Sequence, residues 1–330
     1  FLTPAFLGNA EQSGQWRTPP FKALLRQWWR VAYAAEHRFN VKDVAAMRRE
    51  EGLLFGHAWL DDDQDSKGNK VAARKSQIRL RLCNTQETGE AWATGSQQGV
   101  QPLSDGLGTS YAWFGLIKRG NGLKDRTGIK AGQTESMRQL NLAAPANQEE
   151  RMQEVMSLIH AFGLLGSRSR GGWGALHVED KDSPIKILSA ADMQLYARDL
   201  VICLKGDWAM SLAKDEKGIL VWESKTEFDS WDEAMKFIAG HRKDVRTALK
   251  QGKDLRPALG FASPDKSRMP SPLRWKVMVP QQGTLLIRVF ALPHRIPDDG
   301  CKRLSPQELL SAWKTVSSML DSINTLQRLK

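Results

Sequence analysis

At 330 residues and 41% hydrophobic content, the chain is long enough for two ordinary cores. An excess of 48 lysines and arginines over 37 acids leaves a formal charge of +11 and a pI near 9.6, which points to a polyanionic partner such as nucleic acid. Cys83, Cys203 and Cys301 are too scattered for a disulfide framework or a zinc ribbon, and no apolar run reaches the ~18 residues of a membrane span.

With no secretory signal visible, these features predict a reducing, cytoplasmic setting without membrane contact. The abrupt start at Phe1, without methionine, predicts further residues upstream.

Phe1–Phe6 reads as the end of a strand. Thr18-Pro19-Pro20 then opens a helix over Phe21–Arg38, with Phe21, Leu25, Trp28 and Ala32 at helical spacing. Lys22, Arg26 and Arg30 recur every four residues as a basic stripe, with Trp29 and Tyr33 beside it. A shorter helix is expected over Val41–Glu51, ending at Gly52. Ser76–Cys83 alternates Ile78, Leu80 and Leu82 with Arg79 and Arg81, the pattern of a half-buried strand. Gly89–Gly108 and Gly120–Gly132 read as loops, and Tyr111–Lys118 as a strand or buried turn. Gln148–Phe162 is an amphipathic helix, followed by a Gly-rich loop and a strand over Ala175–Glu179.

In the second half, Leu200–Leu204 reads as a strand and Ser230-Trp231-Asp232-Glu233 as a capping box for a helix to about Lys250. Leu273–Val279 and Leu285–Leu292 form a hairpin across Gln281–Gly283. Ser305-Pro306-Gln307-Glu308 caps a last helix, and no closing strand is evident after it. The order predicts an α+β fold of two tandem ferredoxin-like (RRM-like) domains with long loop insertions, over residues 1–180 and 181–330.

The segment Gly163–Gly174 (GLLGSRSRGGWG) carries the strongest functional signal. Glycines let a backbone approach a ligand and expose its amides, and Arg168 and Arg170 add forked donors that match phosphate. Trp173 offers a stacking face, as do Trp16, Trp29, Trp59 and Trp92 near loops and basic stretches. The alternative is a glycine-rich turn with solvated arginines.

Asp61, Asp63 and Asp65 have the spacing of a calcium loop, but Ser66 and Ala72 stand where glycine and glutamate are required, so a mobile surface loop is expected and no metal. The six histidines form no ligand pattern, and no nucleotide-hydrolase or dinucleotide motif is present, so no cofactor is expected.

Four stretches then converge: Thr3-Pro4-Ala5-Phe6-Leu7-Gly8; the helix Phe21-Lys22-Ala23-Leu24-Leu25-Arg26-Gln27-Trp28-Trp29-Arg30; Glu51-Gly52-Leu53-Leu54-Phe55-Gly56; and the loop Gly166–Gly174. Together they resemble the RAMP superfamily of CRISPR effector proteins, and the helix in particular is similar to that of first subunits of Cmr (type III-B) complexes. The likeness is specific over residues 1–180 and looser beyond, through Arg256–Leu259 and Ser271-Pro272-Leu273.

The resemblance implies a non-catalytic CRISPR RNA-binding subunit that holds the guide near its 3′ end, in antiviral defence. Its partners would be guide RNA, other RAMP subunits and, as a further candidate, target RNA. It assigns RNA contact to Lys22, Arg26, Arg30, Arg168, Arg170 and the loop glycines Gly166, Gly171, Gly172 and Gly174, with Arg17 as an adjacent candidate; Trp29 and Trp173 are the candidates for stacking on a base. Gly171-Gly172 departs from the further basic residues of many relatives, which implies a weaker grip. Two competing readings are an endoribonuclease using His37 or an aspartate of Asp61–Asp65, and an adaptor that binds only protein.

Overall fold

The computed structural model describes residues 1–11, 13–39, 44–58, 60–83, 110–113, 116, 127–131, 138–262, 268–280, 284–297 and 304–330. Trp59, Trp92, Cys301, Gly89–Gly108, the Gln281–Gly283 link, half of Tyr111–Lys118 and most of Gly120–Gly132 lie outside them.

The fold is mixed α+β with several small sheets. In chain order its elements are α1 (Thr18–Glu36), α2 (Val44–Phe55), β1 (Arg79–Leu82), α3 (Ser110–Trp113), β2 (Leu140–Ala143), α4 (Glu149–Phe162), α5 (Ala190–Gln194), β3 (Ala197–Asp199), α6 (Leu200–Cys203), β4 (Leu212–Asp215), β5 (Gly218–Ile219) and β6 (Val221–Ser224). After these come α7 (Trp231–Ala248), β7 (Phe261–Ala262), β8 (Arg268–Met269), β9 (Leu273–Met278), β10 (Leu286–Ala291), α8 (Pro306–Asp321) and β11 (Leu326–Arg328).

The long helices begin where local chemistry dictates. Prolines occupy the first turn of α1, Ser230 accepts from the Glu233 amide at the head of α7, and Ser305 and Glu308 close a reciprocal box at the head of α8. α2 runs through Gly52 to Phe55 rather than stopping at the glycine, and Gly56, with φ of 84°, ends it.

The second half contains an antiparallel sheet in the order β11-β6-β10-β9. With α7 and α8 it runs β6-α7-β9-β10-α8-β11, a β-α-β-β-α-β order. Two expectations are corrected here. Leu200–Cys203 is helical, so the first strand is Val221–Ser224; the closing strand, not evident in the sequence, is Leu326–Arg328. The first half differs more. Among its described residues it has the β1–β2 ladder and isolated bridges, Ala5 to Ile129 and Leu164 to Ala175, in place of the strands expected at Phe1–Phe6 and Ala175–Glu179.

Residue 180 is no seam in the packing. Register puts Arg274, Lys276, Arg288 and Phe290 on one face of the sheet, and that face meets α1 and α4. Phe290 touches Trp28 at 6.3 Å and Phe162 at 4.9 Å between ring centroids. The opposite face carries Trp222, whose indole N–H donates to Asp321 of α8 at 2.9 Å.

Ile159 O accepts from the Gly163 amide, but the His160 and Ala161 carbonyls at the end of α4 would otherwise lack donors. Lys276 Nζ donates to Ile159 O at 3.3 Å and to His160 O, and Arg288 Nη1 donates to Ala161 O at 3.0 Å. Cations at this end also suit the helix dipole.

His160 lies beside them, and burial, aided by the charges of Lys276, His177 and Arg288, pulls its imidazole down to about 4. The unfolded chain therefore takes a proton near pH 6.5 that the folded one refuses until about pH 4. Stability attributable to His160 should fall as pH drops through that window, and urea titrations of His160→Gln should show a flatter dependence there than the parent.

Candidate nucleic-acid interface

α4 stops at Gly163, and the loop after it folds back so that Leu164 bridges Ala175. Gly166, Gly172 and Gly174 have φ of 92°, 102° and 64°, a region that side chains rarely occupy. A β-carbon at Gly174 would collide with Leu165 O, and one at Gly166 would crowd Phe6 O.

Much of the loop's hydrogen bonding is internal. Ser167 N donates to Phe6 O (3.0 Å), Gly171 N to Arg168 O (2.9 Å), Gly172 N to Ser169 O (3.1 Å) and Gly174 N to Pro4 O (2.9 Å). Thr3 Oγ1 donates to Gly172 O and accepts from Ala175 N, which fastens the N-terminal segment to the loop.

The expected roles of the glycines and tryptophans are thereby corrected. The amides of Gly171, Gly172 and Gly174 are spent on protein carbonyls, and the close approaches that Gly166 and Gly174 permit are to Phe6 and Leu165. Trp173 is fully buried against Trp113 and Phe6, its indole N–H donating to Ala112 O at 3.0 Å. Trp29 is buried as well, packed on Tyr33 and Phe55, because α1 is covered on more than one side. Trp16 is buried between Phe1 and Phe21. None of the three offers a base a free face.

The basic stripe on α1 has a partner the sequence did not announce. Glu51 of α2 is buried; Arg26 Nε meets its Oε1 at 2.5 Å, while Arg30 reaches Oε2 through Nε and Oε1 through Nη2, both at 2.7 Å. One carboxylate thus serves two arginines, and the group keeps a net positive charge. Lys22 is half-buried, and burial, with Arg26 nearby, lowers its ammonium pKa. Arg17, at the N-cap of α1, is exposed.

The loop arginines stand in a second, denser group. Trp275 N donates to Arg170 O at 3.2 Å, so the loop lies along β9 and brings Arg170 beside Arg274. Arg274 is 7% exposed, and its Nε is buried without a partner among the described residues. Burial, with Arg170 adding repulsion, holds its guanidinium well below its ordinary value. Burial brings Arg170 itself to about 10.

On the other side of Gly171 lies Arg242, its guanidinium over the Tyr111 ring at 5.2 Å. Burial brings it to about 10 as well; Tyr111 opposes the shift, and Arg168 and Arg246 add to it. Exposed Arg168, at φ 59°, completes the group. Among the described residues no carboxylate hydrogen-bonds Arg170, Arg242 or Arg274.

Arg274 also links the two basic regions. With its amide oxygen turned toward β9, Gln27 of α1, between Arg26 and Arg30 in sequence, accepts from both Arg274 Nη atoms. Arg274, Arg242 and His294 were missed because they sit far along the chain from the loop, on a strand, a helix and a segment without a motif. The alternation of Leu273–Val279 had marked Arg274 only as a strand's second face.

The other candidates are structural. Asp63 is buried, accepting from Arg74 through Nε at 2.7 Å and Nη2 at 2.8 Å and lying 2.7 Å from His57 Nε2, so the acidic loop is anchored rather than mobile. The Arg74 hydrogen bonds hold its carboxyl far below the usual range. His37 stacks on Tyr33, its Nδ1 2.8 Å from Tyr33 O. Among the described residues no cluster of His, Cys, Asp or Glu could hold a metal, and no helix is long and apolar enough to cross a membrane.

No family model matches the chain, and no curated protein does. Among solved structures, a chain of a type III-B Cmr-beta complex bound to cognate target RNA is 11% identical, over 96% of this chain and 98% of that one, with a TM-score of 0.48. Another, from Cmr-beta bound to cognate target RNA and AMPPnP in the presence of ssDNA, is 10% identical over 96% and 97%, with a TM-score of 0.45. This chain is similar to both along nearly its whole length.

Proposed function

We propose that the chain is a non-catalytic RNA-binding subunit of a type III-B CRISPR effector, holding guide RNA near its 3′ end among other RAMP subunits. One observation carries the reading. Arg170, Arg242 and Arg274 gather around the Gly-rich loop, with exposed Arg168 at its tip, and among the described residues no carboxylate hydrogen-bonds the three. Withdrawing such charges from water costs free energy that an arriving polyanion offsets.

Arg26, Arg30, Lys22 and Arg17 extend the positive surface along α1. The contact is to phosphate rather than to bases, which suits guides of any sequence. In this reading β6 to β11 form the second ferredoxin-like unit, and the first half is a ferredoxin-like unit reduced to short ladders. The non-catalytic part of the reading comes from the resemblance; of the residues named for cleavage, Asp63 is buried in an ion pair with Arg74.

Fluorescence anisotropy with single-stranded RNA across a salt series tests the proposal. Arg168→Ala/Arg170→Ala should weaken binding and flatten the slope of log K against log salt by about 0.7 for each phosphate no longer neutralised. An unchanged slope and affinity would favour the protein-only adaptor, and RNA turnover abolished by His37→Ala would favour the nuclease.

A further inference from the structure

Beside the Arg26–Glu51–Arg30 group lies a cavity of about 170 Å³ lined by Arg30, Val44, Met47, Arg48, Glu51 and Trp208. It is smaller than the roughly 300–1,000 Å³ of a typical small-molecule site, so it suits one ring system rather than a whole cofactor. Its walls are flat. The Arg30 guanidinium, fixed by its two bonds to Glu51, lies 5.4 Å from the centre of the Trp208 ring. Met47 and Val44 supply an apolar floor. The Trp208 indole N–H is buried and has no hydrogen-bond partner among the described residues, an unusual state for a buried donor.

The segment that carries Trp208 is tied to the one beside the loop cations. Trp208 follows Gly206 and Asp207, and Gly206 O accepts from Arg295 N at 2.8 Å, while Arg295 Nη2 bonds Asp207 at 2.6 Å. His294, next in the chain, lies within the influence of Arg170 and Arg274. Arg30, which lines the cavity, also belongs to the basic stripe of α1 along which the proposed RNA surface extends.

We propose that the cavity receives one unpaired nucleobase of the bound RNA. The base would lie against the guanidinium and indole surfaces. Every base has a π-face, so the site fixes register without selecting sequence. The inference rests on the RNA-binding reading and adds a base contact to it.

The experiment is an abasic scan: one RNA in which each nucleotide in turn lacks its base, with affinities measured for the full chain and for Trp208→Ala and Trp208→Phe. In the parent, one position should lose about fivefold to a hundredfold on base removal, the range one stacked base contributes. Trp208→Ala should abolish that dependence while keeping the salt slope set by the arginines. Trp208→Phe, which keeps a ring but not the N–H, should retain part of it and guards against a folding defect. Tight RNA binding with the same abasic profile in all three proteins overturns the base site and leaves the phosphate reading intact; failure of the parent to bind RNA overturns both.

Discussion

Arg274→Met is expected to raise the melting temperature of the RNA-free protein by a few degrees and to weaken RNA binding about tenfold. The two effects share one cause. Arg274 is buried, its Nε has no partner among the described residues, and Arg170 stands close enough to repel it. Exchanging a buried charge for an apolar side chain of similar volume commonly gains about 1–4 kcal/mol. Methionine fits such a gap because its chain is flexible and unbranched.

The gain in stability comes at the expense of potential. Without Arg274 the field at Arg170 and along Gln27 to α1 drops, and a phosphate strand loses the deepest charge it approaches. Differential scanning fluorimetry without RNA and anisotropy with RNA read the two halves of the prediction. A variant that melts lower and binds RNA as tightly as the parent would make Arg274 a packing residue. Opposite signs of this kind are the signature of a site kept at the cost of stability.

Phe290→Ala is expected to cost about 3–5 kcal/mol and to loosen both halves of the chain together. Its ring packs against both Trp28 of α1 and Phe162 of α4, which stack on each other, on the sheet face that also carries Lys276 and Arg288. Hydrogen exchange should show the amides of α1 and α4 losing protection in step with those of β9 and β10. If α1 and α4 kept their protection while the sheet alone loosened, the halves would be separate cooperative units.

The long helices were legible in the sequence because each combines an apolar period with explicit start signals. The prolines before Phe21, the Ser230 and Ser305 caps and the apolar stripes of α4 and α8 all agree with one another. The strands of the second sheet were partly legible. β9 and β10 are six residues long and alternate or run apolar, whereas β6 and β11 have four and three and offer too few positions for a period to register. Leu200–Cys203, a short apolar run, fits strand and helix equally, and only tertiary context decided it.

The site was legible as a place but not as a mechanism. A loop with so many glycines had to bring its backbone close to something. Sequence could not say that Phe6, Leu165, Met235 and Arg242, rather than RNA, were the close neighbours. Glu51 was hidden for a similar reason: a single acid, 25 and 21 residues from the arginines it serves, leaves no local pattern. Trp29 and Trp173 turned out to be buried, and the proposed base site rests instead on Trp208, which no motif had marked.

The end of α4 sets an order of events during synthesis. Its final carbonyls wait for donors from Lys276 and Arg288, which leave the ribosome more than a hundred residues later. Until then a nascent chain displays that helix terminus, the unshielded rings of Trp28 and Phe162 and the basic face of α1 all at once. The growing polypeptide thus passes through a long interval in which it is sticky and cationic, beside a ribosome made of RNA.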